Sequence, residues 1–283
     1  MSDRIDGVDY PREAPIGCPL CGASHPPRLI DTRFGVQAAV AECARCRLAY
    51  QSPRPSVAAS MAYMNRRWAT EGGYVTNAAP KLRSARRKLE RLAALRPGRH
   101  SLLDFGAGSG AFVQVARDDG LDAVGVERSE TAMARARQDF GLTLLPELPQ
   151  QRFDLITLWD VVEHLREPVA LLGALRERLT ERGVLVLETG NWENWQRLAA
   201  GDAWGLYLFD HHFYFTPASL QSVCASAGFT RFRLLDANRR SPSLGRTLRS
   251  PAWGLRAWRA WRQARARWPA HGDINVMIAV VEP

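Results

Sequence analysis

Ser101-Leu102-Leu103-Asp104-Phe105-Gly106-Ala107-Gly108-Ser109-Gly110 is the stretch on which the reading of this sequence turns. An apolar run around one acid reads as a buried strand over 101–106, and the pattern then changes to a helix over 110–119. The glycines between them let the backbone turn sharply and approach a ligand. The N–H groups at the helix start favour polar or anionic ligand groups. The next strand, 123–127, ends on Glu127, an acid placed to accept both hydroxyls of a ribose. GAGSGA (106–111) fits the dinucleotide pattern G-x-G-x-x-G/A, so the glycines alone leave a nicotinamide dinucleotide open. Asp104 weighs against it. Dinucleotide folds usually keep that strand end apolar, whereas a carboxylate suits a ligand with a cationic amino-acid end.

Outward from this loop, strand and helix alternate. Ser129 caps a helix that runs to Phe140. Leu142–Leu145 reads as a short strand and Phe153–Trp159 as a longer one. A helix over 167–180 and a strand over 184–189 follow. After a Trp-rich loop come a helix over 217–227, a strand over 230–237 and a last strand over 274–281. This order predicts a Rossmann-like, doubly wound α/β fold: a mostly parallel sheet, covered on both faces, with an antiparallel last strand. Upstream, 80–96 reads as an amphipathic helix, with Leu82, Leu89, Leu92 and Leu95 on one side and arginines on the other. Residues 56–79 read as a connector punctuated by Tyr63, Trp68 and Tyr74. The division is a loose tail over 1–15, a cysteine-bearing module over 16–55, a connector and first helix over 56–99, and the α/β domain over 100–283.

With 283 residues, 46% hydrophobic and 24% charged, the chain can build one large domain and a small appendage. No apolar run is long enough to span a bilayer, and the N-terminus lacks the apolar core of a secretory signal. The cytoplasm is the expected compartment. The net charge is +9, nearly all of the positive charge being arginine; Lys81 and Lys88 are the only lysines.

LLDFGAGSG (102–110), VGVE (124–127) and FDLITLWDVVEHLREP (153–168) together resemble the motifs of class I S-adenosylmethionine-dependent methyltransferases. The resemblance runs over about residues 80–283. The last two strands, separated by a long insertion, resemble the antiparallel pair that closes the sheet in that family. The resemblance implies that Asp104, Gly106, Gly108 and Gly110 line the methionine half of the cofactor and that Glu127 holds the ribose. It puts Trp159 and Asp160 beside the reacting sulfonium. The family's acid beside the adenine is not evident in LLPELPQ (144–150). Glu163 and His164 read either as pocket residues or as a polar helix start.

Cys18-Pro-Leu-Cys21 and Cys43-Ala-Arg-Cys46 are two C-x₂-C knuckles. Each turn sets two thiolates on one side, and two turns complete a tetrahedral, structural zinc site. Disulfides are disfavoured in a reducing compartment. Cys224 sits in a helical apolar pattern and reads as a small buried hydrophobe. Residues 16–65 resemble the zinc-binding module fused to some bacterial sugar C-methyltransferases and to natural-product and cell-envelope methyltransferases. The sugar C-methyltransferases add a C-terminal domain for which this sequence is too short.

Asp210-His211-His212-Phe213-Tyr214 lies over the carboxyl ends of the parallel strands. A histidine there can take a proton from a methyl acceptor near neutral pH. By the resemblance, Asp210-His211 matches the acid–His base of the sugar C-methyltransferases, and His212 a histidine common in the wider family; Tyr214 completes the candidate set. Polar loop residues with no catalytic part are the alternative. Trp192, Trp195, Trp204 and Tyr207 read as a lid over an apolar acceptor or as packing against the sheet. The insertion 239–273 is rich in arginine and carries Trp253, Trp258, Trp261 and Trp268. It fits a helix packed on the domain, a membrane or lipid-linked-substrate contact, or, less well, nucleic acid. The leading functional reading is a methyltransferase acting on a small molecule or glycan intermediate. RNA nucleobase methylation, a non-catalytic adaptor and an NAD-dependent dehydrogenase are the rivals. The oligomeric state is not legible.

Overall fold

The computed structural model describes residues 2–5, 8–32, 37–70, 78–235 and 240–283. Tyr74, residues 236–237 of the expected strand and Arg239 of the basic insertion lie outside the described residues.

At the N-terminus β1 (Ser2–Ile5) and β2 (Val8–Pro11) pair antiparallel, where the sequence reads as a tail. Tyr10 is the reason: its ring is buried against Tyr63 and Phe209. Next come β3 (Arg28–Asp31), β4 (Gln37–Glu42) and β5 (Ala49–Gln51). The expected connector then holds α1 (Val57–Thr70), and α2 (Ala78–Arg91) follows. Polar residues dilute the apolar stripe of α1, which hides it from periodicity; its contacts with the domain below it supply the support.

The elements of the α/β domain are β6 (Ser101–Phe105), α3 (Ala111–Asp118), β7 (Asp122–Val126), α4 (Glu130–Phe140), β8 (Phe153–Trp159), α5 (Pro168–Glu177) and β9 (Leu179–Gly190). Then come α6 (Trp195–Ala200), β10 (Phe213–Tyr214), α7 (Pro217–Ser226), β11 (Arg231–Leu234), α8 (Leu244–Arg249), α9 (Pro251–Arg267) and β12 (Val276–Glu282). Six strands form the main sheet in the order β11-β12-β9-β8-β6-β7. β7, β6, β8 and β9 are parallel, and β12 is antiparallel to both its neighbours.

Alternate residues of each strand enter two different cores. Leu103, Phe105, Ile156, Leu158, Leu185 and Leu187 face α5 and α7. Leu102, Leu155, Val184 and Val186 face α2 and α3. Burial on both faces makes these strands read as continuous apolar runs, and each fully buried leucine or isoleucine contributes roughly 1.5–3 kcal/mol. Local signals fix the helix starts. Ser129 Oγ accepts from the Ala132 N–H, and Thr216 and Ser219 form a capping box with Pro217 at the first turn of α7.

Leu142–Leu145 is a correction: it is not a strand. Only Leu145 bridges to Val126, through two backbone hydrogen bonds. The pairing goes no further, while Leu142 and Leu144 fill the α2–α3 core.

The N-terminal module is built into the domain. Its sheet has the order β10-β5-β4-β3, so its edge strand comes from residues 213–214. One part of the module, Cys18, Cys43, Leu48 and Tyr50, joins the α5–α7 core. Another, Ile30, Val40 and Ala49, packs on Trp192, Trp204, Tyr207 and Tyr214. The aromatic loop therefore packs rather than forming a lid: Trp192, Trp195, Trp204 and Tyr207 are each at most 4% exposed.

Candidate active site

Three backbone turns shape the mouth of the sheet. Gly106, Gly108 and Gly110 have φ of +78°, +53° and +77°, in the left-handed region. Space matters as well at all three, a Cβ on Gly110 coming within 2.8 Å of Leu142. A Cβ on Gly106 would come within 2.5 Å of Val161, and one on Gly108 within 2.9 Å of the Trp68 ring. Trp68 stands on α1, whose Asn65 accepts a 2.8 Å hydrogen bond from Ser129 Oγ at the start of α4. Thus α1 covers the glycine loop, a contact the sequence did not signal.

Asp104 is the last residue but one of β6 and is 2% exposed. It accepts a 2.8 Å bond from Thr157 Oγ1 of β8. Burial raises its pKa to about 7, against the opposing pull of Thr157 and Lys88. Glu127 is held rigidly: one oxygen accepts from the Gly108 N–H at 2.9 Å, the other from Arg128 and Ser129 at 2.8 Å each. A carboxylate has about four acceptor positions, which leaves about one for a ligand hydroxyl. Trp159 ends β8 and Asp160 follows it directly. Lys88 Nζ lies 4.7 Å from the Trp159 ring centre, 3.5 Å from the exposed Asp160 carboxylate and 2.7 Å from Glu188. Lys88 and Glu188 escaped the sequence reading. A signal was there: a lysine beside Leu89 and Leu92, on a helix whose other basic positions are mostly arginine.

The second half of the site lies across the Val162–His164 turn. His164 Nδ1 is 2.8 Å from the Asp210 carbonyl oxygen and 3.5 Å from its carboxylate. The His164 and His211 rings meet edge to face at 4.6 Å. His211 is 6% exposed, and its pKa is driven well below the ordinary value, first by burial and then by the charges of His164 and Arg67. The neutral imidazole is therefore its favoured form. His212 is also held neutral, its pKa lowered to about 3 by burial, then by His164 and by Arg166 and Arg54. Tyr214 stands in the aromatic cluster, its ring 6.2 Å from that of His211, and burial raises its phenol pKa. Glu163 is 3% exposed, and burial lifts its carboxyl to about 7.

The N-terminal module grips this loop. Gln51 Nε2 donates to the carbonyls of Leu208, Phe209 and His211 at 3.0, 3.2 and 2.7 Å. Its backbone N–H donates to His212 O at 2.9 Å. Arg54 and Arg166 exchange further bonds between the module and the segment after His164. No local sequence pattern marks Gln51, because its partners are about 160 residues away.

Cys18, Cys21, Cys43 and Cys46 converge, their sulfurs all within 4.8 Å of one another and Cys21 Sγ 3.6 Å from Cys43 Sγ. Zn–S bonds of about 2.3 Å would space four tetrahedral sulfurs about 3.8 Å apart, so the donor set fits zinc. The second knuckle is braced by Glu193, which takes Arg47 at 2.6 Å and His271 at 2.8 Å. Burial opposes its ionisation, but these partners outweigh it and hold the carboxyl below its usual pKa.

The ubiquinone biosynthesis O-methyltransferase of Bradyrhizobium sp. (strain ORS 278) is 32% identical over 108 residues, 35% of this chain and 42% of that protein. That of Psychrobacter arcticus is 29% identical over 151 residues, 46% and 59% of the two chains. The chain spans about half the length of these curated relatives. A SAM-dependent methyltransferase from Archaeoglobus fulgidus has the same fold, with a TM-score of 0.54 at 14% identity, over 75% of this chain and 97% of that one. The family model described as "Methyltransferase domain" matches residues 76–232, over half of the sequence. With the parallel sheet, its antiparallel closing strands and the glycine turns already in place, the match settles the family: the chain belongs to the methyltransferase domain family.

Proposed function

We propose that the protein transfers a methyl group from S-adenosylmethionine to a small-molecule acceptor, with a metabolite, sugar or lipid-linked glycan intermediate as the substrate class. The observation that carries this is Asp104, a buried carboxylate beside left-handed glycines at the carboxyl edge of a parallel sheet, with a neutral histidine across the Val162–His164 turn. The relatives named as O-methyltransferases favour an oxygen acceptor.

Bound S-adenosylmethionine would supply an electrophilic methyl group on a sulfonium. Asp104 would hold the ammonium of its methionine half, and Glu127 a ribose hydroxyl. Neutral His211, steadied by the 208–212 carbonyls on Gln51, would accept the proton of the acceptor hydroxyl. Alignment of acceptor and methyl would supply much of the acceleration. The four cysteines would hold a structural zinc that fixes the module and, through Gln51, this loop. Incubation with methyl-labelled cofactor and a panel of hydroxylated aromatics, sugars and RNA tests the reading. Label in small molecules supports it; label only in RNA supports the nucleobase alternative; no label in any acceptor contradicts both.

We also propose peripheral contact with anionic membranes through 239–273. Leu244, Leu248 and Leu255 are 67, 73 and 62% exposed, beside the exposed Arg249, Arg256 and Arg259. This combination suits an interface of acyl chain and phosphate. No helix among the described residues is long and apolar enough to cross a membrane. Co-sedimentation with phosphatidylglycerol vesicles, lost in Leu248→Glu/Leu255→Glu, is expected; equal pelleting of the variant contradicts it.

A further inference from the structure

Among the described residues a second group besides the cysteines could hold a metal ion: Glu163, His164 and His211 each offer one donor atom, and these lie within 4.8 Å of one another. We propose that these three side chains bind a divalent cation at the acceptor end of the active site.

Glu163 supplies the independent sign. It is 3% exposed, yet its Oε2 has no hydrogen-bond partner. A buried acceptor left unmatched is costly, and a cation would satisfy it. The histidines are arranged to suit. His164 Nδ1 lies 2.8 Å from the Asp210 carbonyl, with the Asp210 carboxylate at 3.5 Å, which fixes Nε2 as the donor atom for a metal. Metal-binding imidazoles commonly donate their other N–H to a carbonyl or carboxylate in this way. The backbone keeps the three together. The turn Val162–His164 closes with the His164 N–H on Val161 O at 2.9 Å, and the His212 N–H donates to Glu163 O at 2.8 Å. That bond ties the turn to the His211 loop.

One carboxylate oxygen and two imidazole nitrogens select a borderline cation such as Zn²⁺, Co²⁺, Fe²⁺ or Mn²⁺. The thiolate quartet is a softer site. Three protein ligands leave positions open, and the His164 side chain, 30% exposed, gives access to them. An acceptor hydroxyl bound there would lose its proton to water more readily. Its oxygen would then form the new bond to carbon as the sulfonium C–S bond breaks, the electron pair passing to sulfur to leave a neutral thioether. His211 would act as a ligand in place of a base. This consequence rests on the methyl-transfer reading; cation binding itself does not.

Titration of zinc-loaded full-length protein with Co²⁺, followed by calorimetry and visible absorption, tests the site. The expected result is one added Co²⁺ per chain, with weak nitrogen–oxygen absorption and no thiolate charge-transfer band. Glu163→Gln and His211→Asn should each weaken it about 10-fold or more, with His100→Asn as the control. S-adenosylmethionine binding, measured on the same variants, reports an intact fold. Absence of Co²⁺ uptake by protein that binds the cofactor overturns the metal site and leaves the methyltransferase reading standing. Co²⁺ uptake without cofactor binding supports the site and counts against that reading. Co²⁺ affinity equal in wild type and both variants also overturns it.

Discussion

Asp104 is an acid kept where its charge is costly. Its pKa of about 7 in the folded protein, against an ordinary 3.8, means that the native state keeps a proton the unfolded chain has released. Stability from this residue is therefore full below about pH 3.8 and is lost as pH rises through 7, by up to about 4 kcal/mol. Asp104→Asn should raise the melting temperature of ligand-free protein at pH 8 by more than at pH 5. An equal change at both pH values contradicts this. The ligand side has the opposite sign. An ammonium pairs with the ionised form, so cofactor affinity should fall toward ten-fold per pH unit below pH 7 and level off above it. In Asp104→Asn both the affinity and its slope should vanish. The glycine turn was legible because left-handed backbone at three positions needs glycine, and Asp104 because an acid interrupts an apolar strand. Lys88, 2.7 Å from Glu188, was not, because a long cationic side chain on a helix reads as solvated until the fold folds it inward.

At the scale of elements, β5 against β10 decides how the site is held. Phe213 and Tyr214 pair with Tyr50 and Ala49, and Gln51 donates to three carbonyls just before them. Gln51→Ala should lower kcat about ten-fold while cofactor Kd stays within two-fold, since only the 208–212 loop loses its anchor. Amide exchange of residues 208–214 should quicken in the same variant; unchanged exchange with a lowered kcat contradicts the positioning role. Strands β6, β8 and β9 were legible from the sequence because burial on both faces leaves one apolar run each. Leu142–Leu145 shared that signal, yet its pairing stops at a single bridge. Helix α1 and the hairpin of β1 and β2 were not legible: the apolar residues of α1 form no clean stripe, the hairpin has few, and remote partners such as Phe209 and Ser129 stabilise them.

On the scale of the whole molecule, the cysteine module and the α/β domain share a core. Cys43, Leu48 and Tyr50 lie with Phe213 and Phe215 in one cluster. Loss of a structural metal there should spread beyond the module. Cys43→Ser, or stripping with a thiol-competing chelator, should remove one zinc per chain, lower the melting temperature and abolish methyl transfer; a metal-free protein of unchanged stability contradicts the structural role. The knuckle spacing made the site legible, but its fusion to the domain depends on strand pairing across about 160 residues, which no local pattern carries. The basic insertion behaves alike. Ala257, Ala260 and Ala264 form the buried seam of α9 against α6, while Gly254 faces Thr247 of α8, with Trp268 buried and Trp258 and Trp261 half-buried; small residues set these contacts alongside the tryptophans that mark the sequence. The central claim is that this assembly cradles a cationic amino-acid ligand at Asp104. Calorimetric titration with S-adenosylmethionine at pH 8 measures it directly: one site of micromolar affinity in the wild type and no detectable heat in Asp104→Ala is the predicted result, while binding of equal strength in both, or tight binding of NADH instead, would contradict it.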